Sequence, residues 1–244
     1  MKFLRRVYFK AQFEPSLLGL LINPFFILRL GLFRSIRANR AYMSGRMLDF
    51  GCGNKPYRSL FEVDEYVGLD THDSGHDHTH DEIDVFYDGK RIPFDDAYFD
   101  SVLSSEVFEH VFNLPEVLTE IARVVKPGGH LLITIPFVWE EHEVPYDFAR
   151  YTSFGISSLL RDAGFEIVVL KRTTRYLETI FQSINAYIVK GLFRSNRYVK
   201  VLLTPILIMP LTILGLVLSR LLPNEESLYS NLLIVAKKNE SQAT

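Results

Sequence analysis

The sequence predicts an α/β fold built around a mostly parallel β-sheet. Through the middle of the chain, short apolar runs alternate with helical patterns, the order that parallel strands with crossover helices require. A glycine-rich turn, FGCG at Phe50–Gly53, directly follows one of these runs. Apolar residues make up 48% and charged residues 23% of the 244 residues, a composition that excludes a disordered chain.

The elements follow in order along the chain. The predicted strands are Arg46–Phe50, Glu65–Leu69, Phe99–Ser104, His130–Pro136, Glu166–Leu170 and Leu232–Ala236. The predicted helices lie near Leu114–Val125, which has Pro115 at its start, and near Ser153–Ala163, which Thr152 and Ser153 can cap. The KPGG sequence at Lys126–Gly129 is expected to end the first helix and turn into the next strand.

Charge divides the chain into three parts. Residues 1–46 carry a net charge of +8, residues 47–170 of −16 and residues 171–244 of +6. We therefore predict a core over residues 46–172 and 229–238, a basic amphipathic helical segment over 1–45 that acts as a lid or faces a membrane, and a hydrophobic helical insert over 173–228.

The apolar run Val201–Leu222 has one charged residue in twenty-two and is long enough to span a bilayer. Pro205 and Pro210 interrupt it, and the strand predicted at Leu232–Ala236 would be left on the wrong side after a single crossing. We predict a re-entrant hairpin or a helix pair lying in the membrane interface. The alternative is an ordinary core helix.

Two further features bear on location. Pro15–Arg40 has a helical pattern, but Asn23-Pro24 and Arg29 interrupt it and no small-residue cleavage site follows, which disfavours a signal peptide. Cys52 is the one cysteine, so an intrachain disulfide is excluded and a reducing compartment is expected. We predict a cytoplasmic protein, peripheral or monotopic on the inner membrane face.

The first predicted strand ends in an acid and leads into the glycine turn. Asp49 closes the strand, and Gly51 and Gly53 allow the backbone to approach a ligand without an intervening Cβ. Asp70 closes the next strand, twenty-one residues beyond Asp49. At this spacing, nucleotide-binding α/β folds place the carboxylate that accepts both ribose hydroxyls.

Six motifs in order resemble the class I S-adenosylmethionine-dependent methyltransferases of the type 11 group. They are LDFGCG, GLD, DGKRIPF, FDSVLSSEVFEHV, EVLTEIARVVKPGGHLLITIPF and LLRDAGFEI, and they cover residues 46–170. The resemblance implies a Rossmann-like fold with a seven-stranded, mostly parallel sheet and an antiparallel last strand. It also implies S-adenosylmethionine as the cofactor.

The resemblance gives roles to seven residues. The methionine end of the cofactor would be held by Asp49, Gly51 and Gly53, and the ribose by Asp70. The adenine amino group would face Asp88 and Gly89, and the methionine carboxylate or the sulfonium would face Ser105. The third glycine of the usual turn is replaced by Lys55, followed by Pro56. A dinucleotide-binding dehydrogenase is the alternative for the same turn, but it requires the full G-x-G-x-x-G pattern.

The histidine-rich stretch HDSGHDHTHDEIDV begins at His72, two residues after Asp70. Its alternating side chains would diverge in an extended segment, whereas metal ligands must converge. We predict a polar loop at the rim of the adenosine pocket, with Thr71 or His72 touching the ribose or adenine, and no metal site.

Acceptor and acid–base candidates lie after the fourth and fifth strands, because open α/β sheets bind ligands at these strand ends. The predicted catalytic residues are His110, His142 and Asp147, and the predicted acceptor contacts are Glu143, Tyr146, Arg150 and Tyr151. Two alternatives stay open: Arg150 pairs with Asp147 to shape the loop, or His110 orders the start of a helix.

The sequence therefore predicts a methyltransferase that methylates an oxygen of a sugar or lipid-linked intermediate at the cytoplasmic membrane face. A further likeness to bacterial methyltransferases of surface polysaccharide and lipid modification supports this acceptor class. The basic flanks suit an anionic membrane, and the long Leu/Ile run suits lipid better than nucleic acid. The alternatives are a methyltransferase of a soluble small molecule and a non-catalytic, membrane-associated module with the same fold.

Overall fold

The structure, a computed structural model, describes residues 2–71, 83–192 and 202–240. The chain forms two compact units. A helical unit comprises Met1–Ser35 and Arg172–Asn231, and a sheet unit comprises Ile36–Lys171 and Leu232–Thr244. The helical unit thus combines the two flanks that the sequence analysis treated as separate segments, and the core bounds at residues 46, 172 and 229 stay predictions.

A seven-stranded sheet has the order β3-β2-β1-β4-β5-β7-β6. Its strands are β1 Arg46–Phe50, β2 Glu65–Thr71, β3 Val85–Tyr87, β4 Phe99–Ser105, β5 Val125–Pro136, β6 Phe165–Arg172 and β7 Asn231–Lys238. The pairs β2–β3, β1–β2, β1–β4 and β4–β5 are parallel.

The last strand runs antiparallel to β6. The Thr173 N–H donates to the Asn231 carbonyl at the start of β7, and the Asn239 N–H donates to the Gly164 carbonyl at its end. The predicted mostly parallel sheet with an antiparallel last strand is confirmed. The chain order reverses at β1, which lies between β2 and β4, so the ends of these strands open the crevice where such sheets bind ligands.

The predicted strands are all present, but the sequence analysis missed β3, whose three residues are too short for a recognisable pattern. The KPGG sequence was also assigned wrongly. Val125 already pairs with Phe99, and His130 pairs with Ser101, so residues 126–129 form a bulge inside β5 opposite Asp100. The Asp100 carboxylate accepts hydrogen bonds from the Lys126 Nζ (2.6 Å) and the Arg46 N–H (2.8 Å), which fastens the bulge to β1.

The described residues contain the following α-helices: α1 Lys2–Phe13, α2 Leu17–Ile22, α3 Phe26–Asn39, α4 Leu114–Val124, α5 Ser153–Asp162, α6 Tyr176–Tyr187 and α7 Met209–Leu221. In the sheet unit, α4 begins at Leu114 with Pro115 in its first turn, as predicted. The Thr152 hydroxyl accepts the Gly155 N–H (3.1 Å) and caps α5, also as predicted.

The helical pattern predicted over Pro15–Arg40 is two helices rather than one. Ser16 caps α2 through its hydroxyl, which accepts the Gly19 N–H (3.0 Å). Asn23 ends α2, and its side chain then accepts the Phe25 N–H (2.9 Å) just before α3 begins. The Asn23-Pro24 pair therefore makes the corner, because proline cannot donate within a helix.

Helices α6 and α7 pack through polar and small side chains. The Asn185 amide donates to the Thr212 hydroxyl (2.9 Å), and the Ser219 hydroxyl donates to the Glu178 carboxylate (3.0 Å). Gly215 packs so closely that a Cβ there would lie 2.6 Å from the Phe181 ring. The buried face of α7 is thus Thr212, Gly215 and Ser219.

The opposite side of α7 and its neighbours expose large apolar residues. These are Leu17, Leu18 and Leu21 on α2, Ile184 and Tyr187 on α6, and Leu202, Ile206, Leu207, Ile213, Leu214, Val217, Leu221 and Leu222 on and around α7. Within the described ranges, Thr204–Leu221 is a helical stretch long and apolar enough to cross a bilayer, a property that core helices also show, and 28% of it is buried.

Candidate active site

The turn after β1 requires glycine at its first position. Gly51 has φ +71°, its N–H donates to the Leu69 carbonyl (2.9 Å), and a Cβ would meet the Val107 side chain at 2.5 Å. Gly53 has φ +43°, and no atom lies within 4 Å of where its Cβ would be. The turn therefore packs tightly against Val107 while leaving open space beside Gly53.

Asp70 closes β2 against this turn. One of its carboxylate oxygens accepts the Gly53 N–H (2.9 Å), and the other accepts the Thr71 N–H (2.8 Å). The side chain is half-buried at the ligand-binding edge of the sheet. The structure thus brings together three residues that the sequence analysis assigned to one ligand, namely Gly53, Asp70 and Thr71.

Asp49 lies at the end of β1 and is buried. Burial raises the pKa of its carboxyl to about 7, although the hydrogen bond that the Tyr66 hydroxyl donates to it opposes this shift. Burial and the nearby Asp49 together raise the pKa of Tyr66. Tyr66 was given no role from the sequence, but its hydroxyl fixes the orientation of Asp49.

Lys55, at the place of the usual third glycine, has φ +48° and fastens the turn to its surroundings. Its Nζ lies 2.7 Å from the Asp84 carboxylate, which also accepts the Gly68 N–H (2.6 Å). A Cβ at Gly68 would lie 2.3 Å from Cε of Lys55, so glycine at 68 leaves room for the lysine side chain. Lys55, which replaces the usual third glycine, therefore links the turn to the loop before β3.

The other predicted cofactor residues lie at the same edge of the sheet. Asp88 is exposed, and its Oδ1 accepts the Lys90 and Arg91 N–H groups (2.9 and 3.1 Å), which lower its pKa. Gly89 has φ +76° with open space around it. The Ser105 hydroxyl lies 2.9 Å from that of Thr134 on β5.

A second group of residues forms around the single turn Phe108–His110, which follows β4. The Glu109 side chain is 1% exposed, and its Oε1 lies 3.6 Å from Nε2 of His110 and 4.0 Å from Nε2 of His142. We call Glu109, His110 and His142 the Glu109 cluster. Burial raises the pKa of Glu109 well above its usual value and lowers that of His110.

The loop after β5 orients both histidines. The Nδ1 of His110 lies 2.9 Å from the Tyr146 carbonyl, and the Nδ1 of His142 lies 3.1 Å from the Asp147 carboxylate. The two rings meet edge to face, with centroids 4.7 Å apart. Each ring thus has a hydrogen-bond acceptor at Nδ1 and turns Nε2 toward Glu109.

Asp147 and Arg150 form the ion pair that the sequence analysis left open as an alternative. The Arg150 guanidinium donates to both carboxylate oxygens, with Nη2 at 2.7 Å, and also to the Glu140 carbonyl (3.0 Å). Although burial acts in the opposite direction, the guanidinium and the His142 N–H hold the pKa of Asp147 far below its usual value. Both side chains shape the loop, and their catalytic and acceptor-binding roles stay predictions.

The remaining predicted acceptor residues surround this cluster. The Glu143 carboxylate lies 3.6 Å from Nε2 of His110, and Tyr146 is exposed. Tyr151 is half-buried, and burial together with the charge of Glu109 raises its pKa. Glu109 itself was not assigned a role from sequence, although an acid beside a histidine in EHV was a usable signal.

The predicted polar loop falls largely on residues 72–82, which lie outside the described residues, so the contact of His72 stays a prediction.

Comparison with known proteins identifies the sheet unit. Residues 48–133, which run from Leu48 in β1 through the glycine turn to Ile133 in β5, match the type 11 family model described as a methyltransferase domain. Over this segment the chain matches the class I methyltransferase domains of the type 11 group. S-adenosylmethionine is the cofactor of this family.

The methyltransferase domain is similar to curated enzymes of several kinds. It is 30% identical over 118 residues to the O-methyltransferase cnsE of Penicillium expansum, covering 44% of this chain and 41% of that protein. It is 33% identical over 114 residues to a fatty-acid O-methyltransferase of Mycolicibacterium smegmatis, covering 42% and 41%. The chain thus matches about two fifths of these relatives, and other relatives are named C- and N-methyltransferases.

Solved structures agree on the fold. A SAM-dependent methyltransferase from Archaeoglobus fulgidus superposes with a TM-score of 0.51 at 18% identity, covering 85% of this chain and 93% of that one. At this identity the likeness establishes the class I methyltransferase architecture alone.

The buried Asp49 generates a pH-dependent stability. Because its pKa of about 7 in the folded methyltransferase domain lies above its value of about 4 in an unfolded chain, the folded state binds this proton more tightly. Its stabilising contribution is therefore complete below pH 4 and is lost as the pH rises through 7. When the pH rises from 5 to 8, the free energy of unfolding of Asp49→Asn should therefore increase by roughly 2–3 kcal/mol relative to that of the wild type.

Urea unfolding of both proteins at pH 5 and pH 8, without ligand, measures this difference. Asp162→Asn, a change at an exposed acid, serves as the control and should track the wild type. An Asp49→Asn difference that is the same at both pH values would contradict the assignment.

Proposed function

We propose that this chain transfers a methyl group from S-adenosylmethionine to an oxygen of a lipid-linked or glycan acceptor at a membrane face. The observation that carries methyl transfer is the contact between Asp70 and Gly53 inside the segment that matches the family model. It holds a carboxylate and a glycine turn side by side at the edge where β1 and β2 end.

The residues present fit the cofactor. The open space beside Gly53 suits the methionine end, and the half-buried carboxylate of Asp70 suits a ribose diol, as charge-assisted acceptors do. Asp49 would face the cofactor's ammonium group, and Asp88 and Ser105 would meet its adenine and its methionine end. When bound, the cofactor supplies a methyl group on a positively charged sulfur that leaves as a neutral thioether.

The acceptor would lie between this turn and the Glu109 cluster. Val107, which packs on Gly51, immediately precedes the turn that holds Glu109 and His110, so the two groups of residues adjoin. An acceptor hydroxyl would attack the methyl carbon in line with the departing sulfur, and its proton would leave toward the cluster. Tyr146 and Tyr151 would border the acceptor and restrict water.

The helical unit supports a membrane-associated acceptor. In α7 the small and polar residues Thr212, Gly215 and Ser219 are buried, whereas Ile213, Leu214 and Val217 are exposed. A helix in water would bury its leucines, whereas helices in lipid pack through small and polar residues. The fatty-acid acceptor in the name of one relative belongs to the same chemical class. We place the chain at the cytoplasmic membrane face because its flanks are basic.

Cofactor binding gives the first test. Calorimetry with S-adenosylhomocysteine should show binding that Asp70→Ala weakens about 100-fold or more, because two hydrogen bonds between a carboxylate and the ribose are lost. Asp162→Ala, an exposed acid of the same unit, should bind as the wild type does. Absence of wild-type binding would reject methyl transfer.

Transfer to the acceptor gives the second test. Protein incubated with the methyl-labelled cofactor and with separate lipid and water-soluble extracts should label a product in the lipid extract, identified by mass spectrometry. Label confined to the water-soluble extract would reject the lipid-linked acceptor. Cofactor binding with no labelled product in any extract would favour the non-catalytic module.

The apolar surface of α7 gives the third test. The full-length chain should co-float with vesicles that contain phosphatidylglycerol, and Leu214→Glu combined with Val217→Glu should reduce flotation at least tenfold, because charged groups enter the bilayer unfavourably. Phe154→Glu, at an exposed aromatic of the sheet unit, is the matched control. Unchanged flotation of the double variant would contradict the proposed surface.

A further inference from the structure

The donor atoms of the Glu109 cluster converge on one point. One carboxylate oxygen of Glu109 and one ring nitrogen each of His110 and His142 all lie within 4.8 Å of one another. The two measured distances from Glu109 are 3.6 and 4.0 Å. In a tetrahedral site with bonds of about 2.0–2.1 Å, neighbouring donors lie roughly 3.3 Å apart, so the three donors would have to approach one another by at most roughly 1.5 Å to complete such a site.

Burial without hydrogen bonds makes this arrangement unusual. Neither carboxylate oxygen of Glu109, nor Nε2 of His110, has a hydrogen-bond partner among the described residues. The side chain of Glu109 is 1% exposed, so bulk water does not replace these bonds. A buried polar group left without a partner costs about 1–3 kcal/mol. Two of these atoms, Oε1 of Glu109 and Nε2 of His110, belong to the converging group, which indicates a ligand there.

The surroundings of the histidines define what that ligand is. The Tyr146 carbonyl and the Asp147 carboxylate hold the proton of each ring on Nδ1, so Nε2 presents a lone pair. Arg150 in turn fixes Asp147 with both guanidinium ends. Lone pairs of two imidazoles and a carboxylate therefore face one another, and a cation between them relieves their repulsion. A proton on Glu109 would not suffice, because 3.6 Å is too long for a hydrogen bond.

We propose that Glu109, His110 and His142 bind a divalent transition-metal ion such as Zn²⁺. Two histidines and one glutamate are the protein ligands of a class of zinc sites that keep one coordination position open. Acceptors at Nδ1 of both histidines are the outer contacts that metal-binding histidines have. No metal was predicted from the sequence, and a metal was considered only for the histidine-rich stretch beginning at His72.

The metal would serve the acceptor side of the reaction. The Glu143 carboxylate lies 3.6 Å from Nε2 of His110, so it would border a metal held by the cluster. A hydroxyl bound there would have a lowered pKa and a fixed direction. This role rests on the proposed methyl transfer, whereas metal binding itself does not.

The test is calorimetric titration of ZnCl₂ into the full-length, chelator-treated protein. The titration is repeated with a variant in which the four histidines at 72, 76, 78 and 80 are replaced by asparagine, so that they cannot contribute a site. The unaltered chain and this variant should each bind one Zn²⁺ per chain with micromolar or tighter affinity. His110→Ala and His142→Ala should each weaken binding at least 100-fold, and Glu109→Gln should do the same.

Two further variants separate a metal site from a general loss of structure. His130→Ala, at a half-buried histidine of β5 whose ring packs on Tyr42, should bind Zn²⁺ normally. Asp147→Asn should weaken Zn²⁺ binding about 10–100-fold, because Asp147 orients His142 as an outer contact. The effect should be no larger than that of losing a ligand, because the three donor atoms stay in place. Circular dichroism verifies the fold of each variant, and Co²⁺ in place of Zn²⁺ should give visible absorption bands that His142→Ala abolishes.

Three results would overturn the proposal. They are the absence of stoichiometric Zn²⁺ binding to the unaltered chain, binding that survives in the folded His110→Ala and His142→Ala variants, and binding that disappears when only the histidines at 72–80 are replaced. None of these measurements contains a methyl donor or acceptor. Failure of the metal site and failure of methyl transfer are therefore distinguishable.

Discussion

The hydrogen bond from the Gly53 N–H to Asp70 is the constraint on which the site depends. It joins the turn after β1 to the end of β2, so that the open space beside Gly53 has a carboxylate on one side. The strand order makes this possible. β1 lies between β2 and β4, so successive strands are added on one side of β1 up to β3 and on its other side from β4 onward. Lys55 and Asp84 brace the same turn from the outer side. The second cluster then follows β4, the other neighbour of β1.

Much of the fold could be predicted from sequence, because local patterns specify it. The glycine turn with Asp70, the capped helix α5 and the apolar strands each have their own short signal, and their order along the chain fixes the sheet. The three-residue β3 and the bulge at residues 126–129 could not be predicted in the same way. A short strand has too few residues for a pattern, and KPGG is also what a helix end and turn require.

The site could be predicted only in part, for a different reason. His110 and His142 were found because they follow strand ends, and the pair formed by Asp147 and Arg150 was foreseen as an alternative. Glu109 was missed because its importance comes from burial between two histidines, one adjacent and one far along the chain. Tertiary packing of the loop after β5 decides this burial, and the acid beside a histidine in EHV, although a usable signal, does not report it.

The bulge opposite Asp100 has a consequence for variation in this protein. Asp100, Arg46 and Lys126 fasten the strands where β1 and β4 begin, whereas the glycine turn and the Glu109 cluster lie where these strands end. One end of the same strands thus carries anchoring charges and the other carries the chemistry. Substitutions at the anchoring end can adapt the protein to heat or salt while leaving the substrate range untouched, so that robustness and specificity can evolve, or be engineered, separately.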